Sequence, residues 1–522
     1  MRDLDRAVPL LHDYLAESAA RLPDKAALVC QGRRHTYAEL DGAANALAHA
    51  LAARGVGRGD RVVVFMDNTY EAVVAFWAVL KADAVVVMVN PLTKADKLEY
   101  LLNDCQASAL LADAHLAGVF GPVAARSAHL KACVVAGPPE RAALSPAPAG
   151  LAPWDDALAG GDRAAPPRRR GLDVDLAAII YTSGSTGDAK GVMLTHRNML
   201  TAAASIATYL GVREDDVILG LLPLAFDYGL YQMIMAFRQG ARLVLERSFA
   251  YPAKVLETVV AERVTGFPGV PTIFAVLAGM RAAGGYDLSA VRYVTNTAAA
   301  LPVKHLLMLR DIFPRAEIFS MYGLTECKRC TYLPPEDLAR KPTSVGIAIP
   351  NTEIWVVDEE DRRLGPGEVG QLVVRGATVM RGYWGKPEET AKKLRPGPLP
   401  GELVLYTGDL CKFDDEGYLY FVGRTDDIIK SRGEKVAPKE VENAIVSIEG
   451  VREAAVVGVD DPLLGQAVKA FVVLEAGASL SEKDVQRECQ KRLENFMVPK
   501  HVAFVPELPK TDTGKVRKKG LA

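Results

Sequence analysis

Apolar residues recur at helical spacing from His35 to Gly57 (HTYAELDGAANALAHALAARGVG), and glycine closes the stretch, so the pattern predicts an amphipathic helix. Arg61–Asp67 reads as a short β-like run, Tyr70–Lys81 as a helix and Ala84–Val89 as a buried strand. Strand and helix patterns keep alternating through about Arg315, which argues for an α/β domain of mostly parallel sheets flanked by helices. Ala136–Gly171, rich in Ala, Pro and Gly and ending in PPRRRG, reads as irregular surface chain, with its arginines on a solvated face. A strand, Leu176–Tyr181, follows it. From Asn351 the texture changes. Glu353–Asp358, Gly370–Arg375 and Tyr418–Val422 read as strands between Gly- and Asp-rich turns, a smaller β-rich portion. After Arg424 come a helix near Pro438–Ile448, strands near Ala454–Val459 and Ala467–Leu474, and a helix near Glu482–Leu493. This tail is long enough to form its own small α+β domain.

Composition narrows the classes. The 522 residues exceed what one core usually serves. A net charge of −2 gives no global attraction to nucleic acid or anionic membrane. No apolar run is long enough to span a bilayer, so membrane insertion is not expected. The first twenty residues carry charges where a signal peptide needs an apolar segment, which makes cytoplasmic the default. Seven scattered cysteines, an odd count, argue against a disulfide framework. Cys327 and Cys330 form a lone CxxC without the further ligands a zinc site needs.

The densest chemistry is in Tyr181–Asn198, YTSGSTGDAKGVMLTHRN. Glycines free backbone N–H groups to turn toward an anion, and hydroxyls and an ammonium add donors, so the stretch reads as a phosphate-binding loop. It is not a P-loop, because Lys190 is followed by Gly191 rather than Ser or Thr. A flexible Ser/Thr/Gly surface loop is the plain alternative. Further along stand PLAFDYGL (Pro223–Leu230), MYGLTE (Met321–Glu326), YTGDL (Tyr406–Leu410), GRTDDIIKSRGEKVAPKEVE (Gly423–Glu442) and PKTDTGK (Pro509–Lys515). In this order, over about Leu11 to Lys515, these motifs resemble the core motifs of the adenylate-forming superfamily. That superfamily comprises acyl- and aryl-CoA synthetases, nonribosomal peptide adenylation domains and luciferases.

The resemblance implies a core over residues 1–423 that binds ATP and an acid, and a mobile lid over 424–522, hinged at Asp426. A carboxylate attacks the α-phosphate of ATP to give an acyl-adenylate, and a thiol then displaces AMP. By resemblance, Thr182, Ser183, Gly184, Ser185, Thr186, Gly187 and Lys190 cradle the β- and γ-phosphates. Glu326 holds Mg²⁺, Thr325 contacts the α-phosphate and Tyr322 stacks on adenine. Asp409 accepts from the ribose hydroxyls, and Arg424 sits near ribose and phosphate. Lys515 bridges the attacking carboxylate and the α-phosphate, stabilising transition-state charge. Gly433 lies beside the pantetheine arm of the thiol.

Asp227 stands where amino-acid-activating relatives carry the aspartate that meets the substrate ammonium. A carboxylate in an apolar pocket needs a cation; a substrate amino group, a protein cation or a helix-capping role would each answer that need. Lys328 and Arg329, just after YGLTE, suit a second acid group, or else a structural ion pair or phosphate contacts. Tyr228, Tyr231, Asn296, Met321 and Cys330 complete the candidate pocket. Two departures stand against a standard α-amino acid: Gly229 replaces the usual Ser, and Ser320 the Asn that contacts adenine. Asp83 also replaces a usual glycine. The chain shows no fused carrier domain, so the phosphopantetheine thiol arrives in trans. The favoured expectation is an amino-acid ligase, possibly for a β-amino acid or one with a second carboxylate, that loads a discrete acyl or peptidyl carrier protein. The alternative is an acyl- or aryl-CoA ligase. A luciferase-like oxygenase and a non-catalytic nucleotide binder are more distant readings.

Overall fold

The runs of Val, Leu and Ala become the inner strands of two large sheets because both of their faces are covered. In the strand Arg61–Phe65, Val62 and Val64 enter one core while Val63 and Phe65 enter another. Val86 and Met88 likewise separate from Val85, Val87 and Val89 in the neighbouring strand. Strands buried on both faces read as unbroken apolar runs, the signature of a parallel sheet between helices. This computed structural model describes residues 8–138, 144–182, 189–280, 285–297, 303–431, 434–461, 465–510, 516–518 and 520–521.

Among the described residues, one sheet has eight strands in the order Gly382–Tyr383, Lys190–Thr195, Leu176–Thr182, Val85–Val89, Arg61–Phe65, Ala109–Asp113, Ala132–Ala136, Leu151–Pro153. It is parallel from Leu176–Thr182 onward; the first two junctions are antiparallel. A nine-stranded sheet runs Ile347–Ala348, Thr331–Leu333, Glu317–Tyr322, Tyr293–Asn296, Gly266–Gly269, Val217–Gly220, Arg242–Leu245, Ala26–Cys30, Arg33–Thr36. One continuous core joins both sheets through the helices Tyr37–Ala53, Tyr70–Lys81 and Asp227–Gln239, with Trp77 stacked on Phe237 at 5.7 Å.

The β-rich portion is an antiparallel sheet ordered Thr352–Val357, Gly370–Gly376, Leu403–Phe413, Leu394–Pro396, with Leu419–Arg424 paired to the long Leu403–Phe413 strand. After it, among the described residues, a five-stranded sheet built on Val451–Asp461 and Gly465–Leu474 carries the helices Pro438–Val446 and Glu482–Gln490. It has its own core around Ile429, Val441, Ile445, Val456 and Val472. The fold is thus α/β, with a β-rich part and a small C-terminal α+β domain. No helix among the described residues is long and apolar enough to cross a membrane.

Several sequence expectations shift. The helix foreseen over His35–Gly57 spans Tyr37–Ala53, because Thr36 caps it reciprocally with Glu39 and His35 belongs to the strand Arg33–Thr36. Ala136–Gly171 is not wholly irregular. It holds the edge strand Leu151–Pro153 and the helix Trp154–Ala159, with Trp154, Ala157 and Leu158 buried in the main core. Six helical residues are too few for periodicity to reveal. Within PPRRRG, Arg168 and Arg170 are exposed, whereas Arg169 ties down the N-terminal region through Asp13 (3.1 Å) and the Val8 carbonyl (2.6 Å). Asp83, in place of the usual glycine, adopts φ +57°. Asp tolerates that left-handed region better than most residues, and its carboxylate accepts the Arg170 N–H at 2.6 Å.

Candidate active site

The glycine-rich motif links two antiparallel strands, Leu176–Thr182 and Lys190–Thr195, with Thr182 paired to Lys190. This is a strand–loop–strand arrangement, unlike the strand–loop–helix of a P-loop. The motif's end caps the next helix: Thr195 and Asn198 form a capping box, and Asn198 Nδ2 also donates to the carbonyls of Ala377 and Val379. Ser183, Gly184, Ser185, Thr186 and Gly187 lie outside the described residues, as do Gly433 and Lys515. Asp426 falls in the short turn Thr425–Asp427, directly after the strand Leu419–Arg424.

At the foot of that hairpin the structure joins residues far apart in sequence. Gly382–Tyr383 pairs with the Lys190–Thr195 strand, setting Tyr383 opposite Val192. The Tyr383 hydroxyl donates to Glu326 Oε1 at 2.7 Å, and the Met380 N–H donates to the Glu326 carbonyl at 2.7 Å. Burial and the adjacent carboxylate push the Tyr383 phenol up, so it remains a donor at working pH. Lys190 Nζ stands 5.6 Å from the centre of the Tyr383 ring and 2.5 Å from Glu389 Oε2. Hydrogen bonds from Lys190 and Lys392 hold the Glu389 carboxyl down at about 2.

Asp409 and Arg424 are register partners on adjacent strands, and Arg424 Nε reaches Asp409 Oδ1 at 3.1 Å. The Tyr322 hydroxyl donates to Asp409 Oδ2 at 2.5 Å. Burial raises the Asp409 carboxyl, opposed by Arg424 and Tyr322. Each carboxylate oxygen keeps further lone pairs, so two donors do not exhaust its capacity to meet a pair of hydroxyls.

Thr325 and Glu326 sit in the turn that follows Tyr322. The chain folds back so tightly that Cys330 N–H donates to the Tyr322 carbonyl at 2.9 Å. A Cβ on Gly323 would lie 2.3 Å from the Lys328 carbonyl oxygen, which excludes any side chain there. Lys328 takes φ +65° to complete the turn. The thiols of Cys327 and Cys330 lie 3.1 Å apart, and all seven cysteines are free and buried.

On the acid side, Asp227 opens the helix Asp227–Gln239 and is buried, with Oδ2 3.8 Å from Lys328 Nζ. Burial pulls the Lys328 ammonium down to about 8, opposed by Asp227. Asp227 therefore has a protein cation beside it, one of the alternatives the sequence left open. Lys328 Nζ also lies 5.1 Å from the centre of the Tyr231 ring, and the Arg329 guanidinium 4.9 Å from that of Tyr228. The Tyr228 hydroxyl is fixed by Thr295, donating to its carbonyl at 2.8 Å. Asn296, Met321 and Cys330 are also buried, and the Tyr209 hydroxyl donates to Met321 Sδ at 2.8 Å. A Cβ on Gly229 would meet the Pro223 and Leu222 carbonyl oxygens at 2.4 and 2.7 Å, so the usual Ser has no room.

Sequence reasoning missed Tyr383 and Glu389 in GYWGKPEET. No local signal marks them, because their relevance rests on pairing with a strand nearly two hundred residues away.

The sheets, the glycine-rich hairpin, the paired Asp409–Arg424 and the small C-terminal domain define an adenylate-forming enzyme. Residues 15–384 match the AMP-binding enzyme family and residues 440–515 its C-terminal domain, and the chain belongs to that family. It is 32% identical to a long-chain-fatty-acid–CoA ligase of Bacillus subtilis, over 99% of this chain and 96% of that one. Among solved structures, the anthranilate CoA ligase AuaEII in complex with anthranoyl-AMP aligns with TM-score 0.89 at 27% identity, covering 99% of this chain and 98% of that one. ATP-bound MatB from Rhodopseudomonas palustris aligns with TM-score 0.87 at 31% identity, covering 98% of each chain. The protein is an ATP-dependent, AMP-forming acid–thiol ligase.

Proposed function

We propose that the protein activates a small carboxylic acid as its acyl-adenylate and transfers the acyl group to coenzyme A. The observation that carries the choice of thiol is that CoA ligases match this chain over nearly their whole lengths and its own. This replaces the carrier-protein reading favoured from the sequence. The amino-acid reading also weakens. Its premise was that Asp227 needs a substrate ammonium, and Lys328 already supplies a positive charge at 3.8 Å.

In this reading, the hairpin hydroxyls, backbone N–H groups and Lys190 receive the β- and γ-phosphates, and Lys190 must exchange Glu389 for phosphate. Asp409 accepts the ribose hydroxyls from a site stiffened by Tyr322 and Arg424, with the Tyr322 ring against adenine. Thr325 meets the α-phosphate. Glu326 suits Mg²⁺, a hard cation that takes carboxylate oxygens; with its Oε1 anchored by Tyr383, its carboxylate would hold the metal, which would supply charge neutralisation on the phosphates. Lys515 joins the attacking carboxylate to the α-phosphate, and swinging of the 424–522 domain about Asp426 withdraws it and brings Gly433 to the pantetheine arm. Seven free cysteines, all buried, suit a reducing cytoplasm.

The test is pyrophosphate release and thioester formation with ATP, Mg²⁺ and an acid panel, offering CoA and a phosphopantetheinylated carrier protein separately. Acyl-CoA as the faster product supports the proposal; acyl-carrier formed with CoA inert overturns it. Lys515→Ala should abolish adenylation while sparing thioester formation from supplied acyl-adenylate.

A further inference from the structure

The acid pocket holds more positive charge than the protein itself balances. Lys328 and Arg329 are adjacent in sequence and almost completely buried, at 2% and 5% exposure. Each guanidinium or ammonium lies on the ring of a tyrosine one helical turn apart, Tyr228 for Arg329 and Tyr231 for Lys328. The carboxylate in contact with them is Asp227, and it stands beside Lys328. Among the described residues, no carboxylate comes within ion-pair distance of Arg329. Its Nη1 donates only to the Lys328 carbonyl at 2.9 Å. Arg329 Nε and Lys328 Nζ are both buried without a hydrogen-bond partner among the described residues.

A buried, unpaired cation is among the costliest features a fold can keep, and an aromatic face compensates it only in part. Arginine cannot relieve the cost by losing its proton. Planar guanidinium donors left open suit a planar carboxylate, which accepts two parallel hydrogen bonds. The nearby Glu326 does not fill this role, since its Oε1 is held by Tyr383.

Resting on the CoA-ligase reading of this site, we infer that the substrate acid carries a second anionic group, a dicarboxylate in the simplest case. Arg329 is the specificity-determining residue that binds it, and Lys328, steadied by Asp227, is the second donor. The unreacted carboxylate accepts from Arg329 Nε and from Lys328 Nζ, while the other carboxylate is left for adenylation. An acid lacking that group leaves Arg329 without a counter-charge and Lys328 Nζ without a hydrogen-bond acceptor, and a site built around buried polar partners rejects such an analogue strongly.

The experiment compares aliphatic dicarboxylic acids of about two to six carbons and the benzenedicarboxylic acids with their monomethyl esters and the matching monocarboxylic acids. Pyrophosphate release, hydroxamate trapping and acyl-CoA formation are read in parallel. The expected result is a diacid preferred over its own ester by on the order of 10³-fold in kcat/KM. Arg329→Gln should erase that preference by lowering activity on the diacid alone, with KM for ATP unchanged, and Arg329→Lys should restore part of it. A wild-type enzyme equally active on diacid and ester, or fastest on a monocarboxylic acid, overturns the inference without need of any variant. So does Arg329→Gln lowering every acid and KM for ATP alike, which would assign the cations to the reacting carboxylate or the phosphates. Diacid adenylates that form without acyl-CoA would instead refute the CoA reading and leave this inference standing.

Discussion

Tyr383→Phe isolates the contact that steadies Glu326. The variant deletes one oxygen, which donates to Glu326 Oε1 at 2.7 Å from a ring only 5% exposed. The phenylalanine ring still pairs opposite Val192 and still lies beneath Lys190, whose Nζ is 5.6 Å from its centre, so packing and phosphate-side charge persist. What is lost is a hydrogen bond to a carboxylate, worth about 1.5–3 kcal/mol. If that energy is used to hold Glu326 toward Mg²⁺ and the phosphates, kcat/KM for adenylation falls roughly 10- to 150-fold. The Mg²⁺ requirement should rise with it. The assay is acid-dependent pyrophosphate exchange titrated with Mg²⁺, alongside thioester formation from synthetic acyl-adenylate, which needs no metal at Glu326. Adenylation within twofold of wild type would refute the reasoning. Equal losses in both half-reactions would do the same, by showing a general structural defect.

Glu389→Gln removes the charged partner that holds Lys190 at 2.5 Å, so KM for ATP should fall severalfold; an increase would mean that Glu389 positions Lys190 rather than competing for it. Gly229→Ser should lower the melting temperature by several degrees, since its Cβ would lie 2.4 Å from the Pro223 carbonyl oxygen and overpacking costs about 1–3 kcal/mol. An unchanged melting temperature would show that the helix start can shift. Burial raises the Asp113 carboxyl to about 6 while its oxygen accepts the Asp67 N–H at 2.8 Å. Between about pH 4 and 6 the folded protein keeps a proton the unfolded chain has released, so stability falls as pH rises through that window, by roughly 3 kcal/mol in total. Asp113→Asn keeps the acceptor without the ionisation. Its melting temperature should exceed that of wild type at pH 7 and match it near pH 4, and equal values at both would refute the assignment.

The sequence by itself determined what depends on neighbours within a few residues or on an ordered set of motifs. The helix Tyr70–Lys81 is capped and buried locally and falls where the pattern sets it. The strands of Val and Leu were legible because a strand buried on both faces cannot alternate. The order of five motifs was enough to read the family and the chemistry of ATP activation. The short helix Trp154–Ala159 was not legible, because one and a half turns carry no period and its burial comes from packing against the main core. Only the tertiary structure decided the electrostatics. Asp227 reads from sequence as a carboxylate that a substrate amino group, a protein cation or a helix-capping role could each answer; the left-handed turn at Lys328, a hundred residues later, brings the protein's own cation beside it. Tyr383 and Glu389 join the site because one edge strand pairs with the strand that begins at Lys190. Charge balance in a buried pocket is a sum over distances, and distances between residues far apart in the chain are fixed by the packing of sheets, which a one-dimensional pattern does not contain.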